Sequence, residues 1–303
     1  MGLSFRLISR RLQADFCLMG LALIWGSTFV VIKGALDDVS PLLLVTARFL
    51  IAGAILSPLA LTVPRGFSRE TLQGGAILGT LLFLGFWFQT TGMEHTTPSR
   101  SAFITGTAVI FTPILSVLLA IRRPSVTSVC GAALATGGLW LLTSPAEGGH
   151  GFGRGEVLTL LCAICFAGHI LALDHWTRRA DKRRIAFLQV ATVGILGILP
   201  TIFVEHLWLD RLRFNPTPRL LVAMAIMVLL ATALALFVQS IVQSWTTPTR
   251  AAVIFAMEPV FAAITAWFID GEILAGASLV GALLIFAGMI VAELRQPWAA
   301  DAE

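Results

Sequence analysis

Two ionisable side chains, Arg48 and Glu258, lie inside long apolar segments of this 303-residue sequence. If those segments cross a bilayer, a charge near their centre costs about 2.5 to 3.5 kcal/mol and needs a partner or a task. Glu258 is a candidate for proton coupling, because a buried carboxyl group can load and release a proton. The alternative is a structural hydrogen bond to helix backbone that Pro259, which lacks a donor, has disturbed. Arg48 is a candidate binder of a ligand carboxylate, or else a structural partner or a side chain that reaches a helix end.

Aromatic, amide, hydroxyl and imidazole side chains in the same segments could form a binding pocket. Tryptophan rings suit stacking on planar or cationic ligands, and amides suit hydrogen bonds to amino or carboxylate groups. A lone helix histidine is alternatively a satisfied packing residue, and that alternative stays open for His169. The candidate binding residues are Trp25, Ser27, Thr28, Trp87, Gln89, His169 and Gln239. Pro113 and Pro259 each remove a backbone hydrogen bond, so they are candidate hinges or, alternatively, static packing positions.

Patterns typical of several other chemistries are missing from the sequence. The four cysteines lie in apolar segments without a histidine or carboxylate at metal-ligand spacing, so we expect neither a disulfide nor a metal site. A Gly-rich phosphate loop ending in Lys and Ser or Thr is also missing, which argues against ATP as an energy source. His95, His169 and His175 are scattered without a paired acidic motif, which disfavours a membrane-embedded enzyme. We therefore expect no cofactor.

Composition indicates which elements position these residues. Hydrophobic residues make up 57% of the chain and charged residues 13%, and the mean hydropathy is +0.87. Soluble domains have roughly 25% charged residues. Apolar runs of about 17 to 25 residues are long enough to cross a bilayer as helices. We predict an all-α integral membrane protein in contact with the lipid bilayer, with ten transmembrane helices near residues 14–36, 41–63, 70–93, 98–121, 125–143, 154–175, 184–206, 218–245, 248–269 and 274–294.

Basic residues occur in short clusters between the apolar runs. The net charge of +4 therefore indicates topology rather than binding to nucleic acid. Ten spans place both termini on one side, and most of the basic residues fall in the connections on that side, which predicts cytoplasmic termini. The first run follows Arg6, Arg10 and Arg11 without a small-x-small cleavage pattern, which favours a transmembrane helix over a signal peptide.

The chain contains an internal repeat. Residues 96–100 (TTPSR) recur at 246–250 as TTPTR, and Gln89 matches Gln239 at the same offset of 150 residues. Pro113 matches Pro259 after a shift of four residues, about one helical turn. Two pairs of glycines also keep the offset, Gly131 with Gly281 and Gly138 with Gly288. We expect a first five-helix repeat at 1–145, a Gly-rich linker at 146–153 and a second repeat at 154–303.

Five is an odd number of spans, so the second half would enter the membrane from the opposite side. Inverted-topology repeats are common in secondary transporters, which bind substrate near the midplane where the halves meet. We therefore predict two inverted repeats around a central cavity, and transport by alternating access. A membrane-embedded receptor or enzyme without transport activity is the alternative.

Short motifs stand in both halves: WGSTF at 25–29, ARFL at 47–50, MEP at 257–259 and DGE at 270–272. Together they resemble the EamA family of the drug/metabolite transporter superfamily, over essentially the whole chain. The resemblance implies ten helices, a central cavity, and export of small metabolites or amino acids across a bacterial inner membrane. The first half departs from the pattern, because Thr112 precedes Pro113 where Glu258 precedes Pro259. We expect a monomer with a small-molecule substrate, while the sequence leaves the substrate's identity and the coupling ion open.

Overall fold

A computed structural model of the protein describes residues 10–62, 66–119, 126–142, 152–246, 251 and 254–293, except for the side chains of residues 11, 128, 129, 292 and 293. These residues are mostly helical, and the extended contact among them is an isolated bridge between Val39 and Phe214. The helices are α1 (Arg10–Ala35), α2 (Pro41–Leu61), α3 (Arg69–Met93), α4 (Pro98–Leu118), α5 (Val126–Leu142), α6 (Arg154–Thr177), α7 (Lys182–Trp208), α8 (Pro218–Trp245), α9 (Glu258–Asp270) and α10 (Gly276–Glu293).

Seven of these helices, α1 to α4 and α6 to α8, are long and apolar enough to cross a membrane. The helices α5 and α10 contain shorter apolar stretches, and α9 has 13 residues. Large apolar side chains, among them Phe16, Leu118 and Trp208, are exposed on the bundle, which suits a lipid surround. The all-helical prediction is confirmed for the described residues, and the ten-span arrangement stays a prediction. Most of the predicted linker at 146–153, and residues 247–250 of the repeat motif, lie outside the described residues.

Two helical segments are interrupted 150 residues apart. The helix α4 breaks at Thr107, and a turn that includes Met257 precedes α9. A Cβ atom on Gly106 would lie 2.8 Å from the ring of Pro259, so the two breaks are in contact. The prediction that Pro259 removes a bond from a helix interior is wrong, because Pro259 is the second residue of α9, where its missing N–H has no helical acceptor. Pro113 does lie inside its helix.

Helices from the two halves of the chain pack on each other. The helix α2 lies against α7 and α5 lies against α10, while α3 contacts both α6 and α7, α1 contacts α9 and α4 contacts α6. The helices α5 and α10 approach closely at glycines, as small residues allow in membrane helices. A Cβ atom on Gly138 would lie 2.6 Å from the carbonyl oxygen of Gly281, and one on Gly288 would lie 2.6 Å from that of Gly131. Between these two contacts the residue number falls along α5 and rises along α10, so the two helices run antiparallel.

A carboxylate ties α7 to α2 at the end of the bundle where α1 meets α2. Glu205 accepts hydrogen bonds from the backbone N–H groups of Leu42 at 2.7 Å and Leu43 at 3.1 Å, and from the hydroxyl of Ser40 at 2.7 Å. The first N–H groups of a helix have no partners within it and attract an anion. Glu205 thus caps α2 from another helix.

The loop between α3 and α4 is tied to three helices at the same end of the bundle. Lys33 of α1 donates to the carbonyl oxygen of Thr96 at 3.0 Å, and Thr96 donates to Glu156 of α6 at 2.8 Å. Glu272, just after α9, accepts from the hydroxyl of Thr97 at 2.5 Å. These bonds join α1, α6 and α9 through one connection.

Candidate functional site

A cavity lies between α1, α2, α3, α4, α6, α8 and the start of α9. Much of the lining is apolar and aromatic, with Phe29, Phe86, Phe166 and Phe255 among its residues. The side chains with polar groups in the lining are Trp25, Thr28, Arg48, Gln89, Thr105, His169, Gln239 and Glu258.

Arg48 reaches the cavity from α2. The residue is 2% exposed, and its Nε donates to Thr232 Oγ1 at 2.5 Å. The guanidinium carbon lies 4.8 Å from the ring centroid of Phe86 and 5.3 Å from that of Phe49, which suits a cation–π interaction. Among the described residues, no carboxylate lies within ion-pairing distance of Arg48. Arg48 therefore packs between aromatic rings and donates its hydrogen bond to a neutral hydroxyl instead of a carboxylate.

A π-helical stretch of α8, Met227–Leu234, positions the partner of Arg48. The Thr232 hydroxyl donates to the carbonyl oxygen of Met227, five residues earlier, at 2.7 Å. Its oxygen is then left to accept from Arg48. The same stretch presents the carbonyl oxygen of Ala231 to the indole N–H of Trp25 at 2.9 Å. Such turns are rare and often occur at functional sites.

Glu258 is the first residue of α9 and is half-buried. Its carboxylate makes no hydrogen bond or ion pair with any residue that the structure describes, so the predicted structural bond to helix backbone is not found. The helix α1 packs on this point through Gly26, where a Cβ atom would lie 2.5 Å from the carbonyl oxygen of Glu258. The cavity is thus lined by a guanidinium group and a carboxyl group that are not paired with each other.

The deeper wall of the cavity carries an imidazole and an amide that belong to hydrogen-bonded chains. His169 Nε2 lies 2.9 Å from Gln189 Oε1, whose amide Nε2 donates to Ser240 at 3.0 Å. Gln239 Nε2 donates to Gln243 Oε1 at 3.1 Å. The first chain links α6 to α8 through α7, and Gln243 extends the second chain to α6 by donating to the carbonyl oxygen of Ile170 at 3.1 Å.

The structure brings together seven of the residues that the sequence singles out. Ser27 instead faces α9, with its hydroxyl oxygen 3.3 Å from that of Thr265, and the ring centroid of Trp87 lies 5.6 Å from that of Phe83. Neither Ser27 nor Trp87 lines the cavity, and neither Pro113 nor Pro259 does. The seven that line the cavity are Trp25, Thr28, Arg48, Gln89, His169, Gln239 and Glu258.

Several polar residues that the sequence analysis does not single out support the cavity. Thr105 lines it and accepts from Gln89 Nε2 at a long 3.4 Å. Gln189 and Thr232 orient His169 and Arg48. Polar side chains inside apolar runs are the signal that would find Gln189, whereas threonines are too common in such runs to stand out. Within the described residues, no group of three His, Cys, Asp or Glu side chains could hold a metal ion.

Comparison with known proteins decides the family. The sequence matches the EamA-like transporter family over residues 12–144 and 153–293. The chain belongs to this family. The resemblance inferred from the short motifs is therefore confirmed, and this EamA-family chain has relatives that are named as membrane transporters.

Three relatives and one structure illustrate the similarity. An "uncharacterized transporter" of Archaeoglobus fulgidus is 34% identical over 94% of this chain and 87% of its own length. A "probable amino-acid metabolite efflux pump" of Salmonella typhimurium is 27% identical over 91% of this chain and 93% of its own. The Escherichia coli K12 inner membrane transporter YedA is 32% identical over 50% of this chain and 49% of its own. A solved crystal structure shares the fold, with a TM-score of 0.69, 18% identity, and coverage of 93% of this chain and 96% of that one.

Proposed function

We propose that this EamA-family protein is a secondary active transporter of the inner membrane that exports small metabolites or amino acids by alternating access. The observation that carries the proposal is that Arg48 and Glu258 line one cavity between apolar helices, and that neither forms an ion pair with a described residue. Charges among membrane helices are costly and mark substrate or ion pathways. The name of the Salmonella typhimurium relative, an amino-acid metabolite efflux pump, agrees with a charged small-molecule substrate.

The two charged residues have different proposed tasks. Arg48 binds a carboxylate of the substrate, because a guanidinium group whose described partner is neutral keeps donors for an anionic ligand. Glu258 carries the coupling proton, because its carboxyl group has no described structural partner. The aromatic lining supplies the apolar contacts.

Helix packing supports two inverted repeats. A two-fold relation with the 150-residue offset would turn the contact of Gly138 with Gly281 into a contact of Gly288 with Gly131, and both contacts occur. The breaks at Thr107 and at the turn that includes Met257 obey the same offset. Discontinuous helices at the midplane are typical of inverted-repeat transporters. With an odd number of spans in each half and basic residues concentrated on one side, both termini are cytoplasmic in this proposal.

Reconstitution into lipid vesicles tests the proposal. Efflux of labelled amino acids is measured with and without an imposed proton gradient. The wild-type protein should accelerate efflux over protein-free vesicles, and Glu258→Gln should remove the dependence on the gradient. Glu70→Gln, at an exposed position in the first turn of α3, is the control and should behave like wild type. Efflux no faster than in protein-free vesicles would refute transport, and full proton dependence in Glu258→Gln would refute the coupling role.

A further inference from the structure

The hydrogen bonds that join His169 to Gln189 and Ser240 determine which imidazole nitrogen can accept a hydrogen bond. The Ser240 hydroxyl donates its single proton to the carbonyl oxygen of Leu236 at 2.7 Å, because a carbonyl cannot donate. Ser240 must then accept from Gln189 Nε2, at 3.0 Å. The amide oxygen of Gln189 therefore faces His169 Nε2, at 2.9 Å. Since that oxygen only accepts, Nε2 carries the proton and Nδ1 of a neutral imidazole is an acceptor.

The neutral form of His169 follows from its surroundings. The residue is 3% exposed, and no described carboxylate lies within ion-pairing distance of its ring. Burial of a charge without a partner is costly, so the imidazole is uncharged. Nδ1 makes no hydrogen bond with the described residues.

A second chain fixes the amide of Gln239. Gln243 Nε2 donates to the carbonyl oxygen of Ile170 at 3.1 Å, so its Oε1 faces Gln239 and accepts from Gln239 Nε2 at 3.1 Å. The remaining atom, Gln239 Oε1, is buried and has no hydrogen-bond partner among the residues that the structure describes. Gln239 is 3% exposed and lines the cavity. An unpaired buried acceptor beside a cavity calls for a donor from a ligand.

The two chains bring together the two residues that carry these acceptors. One joins His169 of α6 to Ser240 of α8, and the other joins Gln239 of α8 to Ile170 of α6. Neighbouring residues on each helix are therefore tied to neighbouring residues on the other. Glu258 lines the same cavity and offers a further acceptor.

We propose that this wall binds the ammonium group of the substrate, an inference that rests on the transport function proposed above. His169 Nδ1 and Gln239 Oε1 accept directly from the ammonium group, and Gln189, Ser240 and Gln243 are positioning residues. An ammonium group has N–H donors and no acceptor, which matches a wall of acceptors. A hydroxyl group in its place has one donor and would leave an acceptor unpaired, and a carboxylate would face other acceptors.

Binding to the purified full-length protein in detergent tests the preference for ammonium. The probes are two pairs that differ in one group: L-phenylalanine with L-phenyllactate, and 2-phenylethylamine with 2-phenylethanol. Their ring suits the phenylalanine-rich lining. We expect the amine of each pair to bind at least about tenfold more tightly than its hydroxyl counterpart, because hydrogen bonds to charged groups are the stronger ones.

The Gln239→Leu variant should lose most of this preference, while Gln73→Leu, at an exposed position of α3, should keep it. Equal affinity of the wild-type protein for amine and hydroxyl probes would overturn the proposal. Failure of both pairs to bind would also overturn it.

Nitrogen NMR of protein labelled with ¹⁵N-histidine tests the positioning residues without any ligand. The His169 signals are identified by their loss in His169→Asn. The wild-type protein should show a protonated Nε2 and an unprotonated Nδ1. Gln189→Leu, which removes this acceptor, should give a mixture of tautomers. A protonated Nδ1 in the wild-type protein, or an unchanged tautomer in Gln189→Leu, would overturn the positioning role.

The transport assay separates this inference from the proposed function. If vesicles export hydroxy acids and amino acids equally well, the result would support the transport function and overturn the ammonium site. Amine-selective binding without any transport would leave the site in place and overturn the function.

Discussion

Replacing Arg48 by methionine separates the stability of the fold from the function of the cavity. Methionine is unbranched and flexible, so it fills much of the space of the arginine stem without its charge. We expect Arg48→Met to change the free energy of unfolding by less than about 2 kcal/mol. We also expect it to weaken the binding of carboxylate-bearing ligands by at least about tenfold, the loss of one charge-assisted hydrogen bond.

The small effect on stability follows from opposing contributions. A charge among membrane helices costs about 2.5 to 3.5 kcal/mol. The 2.5 Å hydrogen bond to Thr232 stabilises the folded protein by about 1.5 to 3 kcal/mol. The ring of Phe86, with its centroid 4.8 Å from the guanidinium carbon, stabilises the charge by about 0.5 to 2 kcal/mol. Removing the guanidinium group removes the unfavourable burial of the charge together with the favourable hydrogen bond and cation–π contact. Thr232 keeps its bond to the carbonyl oxygen of Met227.

Chemical unfolding in detergent measures the stability, and ligand binding to the same preparation measures the function. Arg48→Lys is the matched control, because it keeps the charge but loses the planar fork of donors. Its affinity for carboxylate ligands should lie between those of wild type and Arg48→Met. Unchanged affinity in Arg48→Met would refute the assignment of Arg48 to ligand binding, and a loss of more than about 4 kcal/mol of stability would refute the small effect expected on the fold.

Three further predictions concern the packing of the bundle. Gly138→Ala should lower stability by about 1 to 3 kcal/mol, because its Cβ atom would lie 2.6 Å from a carbonyl oxygen of α10, whereas Gly137→Ala, with nothing within 4 Å, should be neutral in thermal unfolding. Glu205→Ala should lower stability by about 2 to 5 kcal/mol, because it leaves two backbone N–H groups and a hydroxyl without their acceptor, and Glu205→Gln, which keeps one amide oxygen, should lose less. Glu272→Ala should speed the labelling of a cavity cysteine from the end where α9 is tied to α4, since it removes the acceptor of that tie. Equal melting temperatures for the two glycine variants, equal losses for the two Glu205 variants, or unchanged labelling rates would each contradict the corresponding contact.

Most of the polar lining of the cavity could be predicted because polar side chains in apolar helices are energetically unfavourable and therefore rare. Arg48, His169 and Glu258 stand out in apolar runs, and all three line the cavity. Ser27 and Trp87 stand out in the same way but lie elsewhere. The difference is the rotation of each helix about its axis. Helices that are apolar on every side give little sign of that rotation in their sequence.

The details of the fold that could not be predicted are local departures from regular helix. Hydropathy predicts one span at 248–269, whereas α9 begins at Glu258 after a turn. A hydrophobic window averages over such a break. The π-helical stretch that presents Thr232 to Arg48 is likewise invisible to periodicity, because its side chains are apolar on both sides of the threonine. Glu205 was missed because its role depends on the start of a helix far away in the chain.

Access to the cavity from each side of the membrane tests alternating access most directly. A Thr28→Cys variant, in which Cys17, Cys130, Cys162 and Cys165 are replaced by serine or alanine, places one thiol in the cavity lining. A membrane-impermeant thiol reagent is added to either side of sealed, oriented vesicles. We predict labelling from both sides, with the rate from each side reduced by saturating L-phenylalanine. Labelling from one side only, or from neither, would contradict a cavity that opens alternately to the two faces of the membrane.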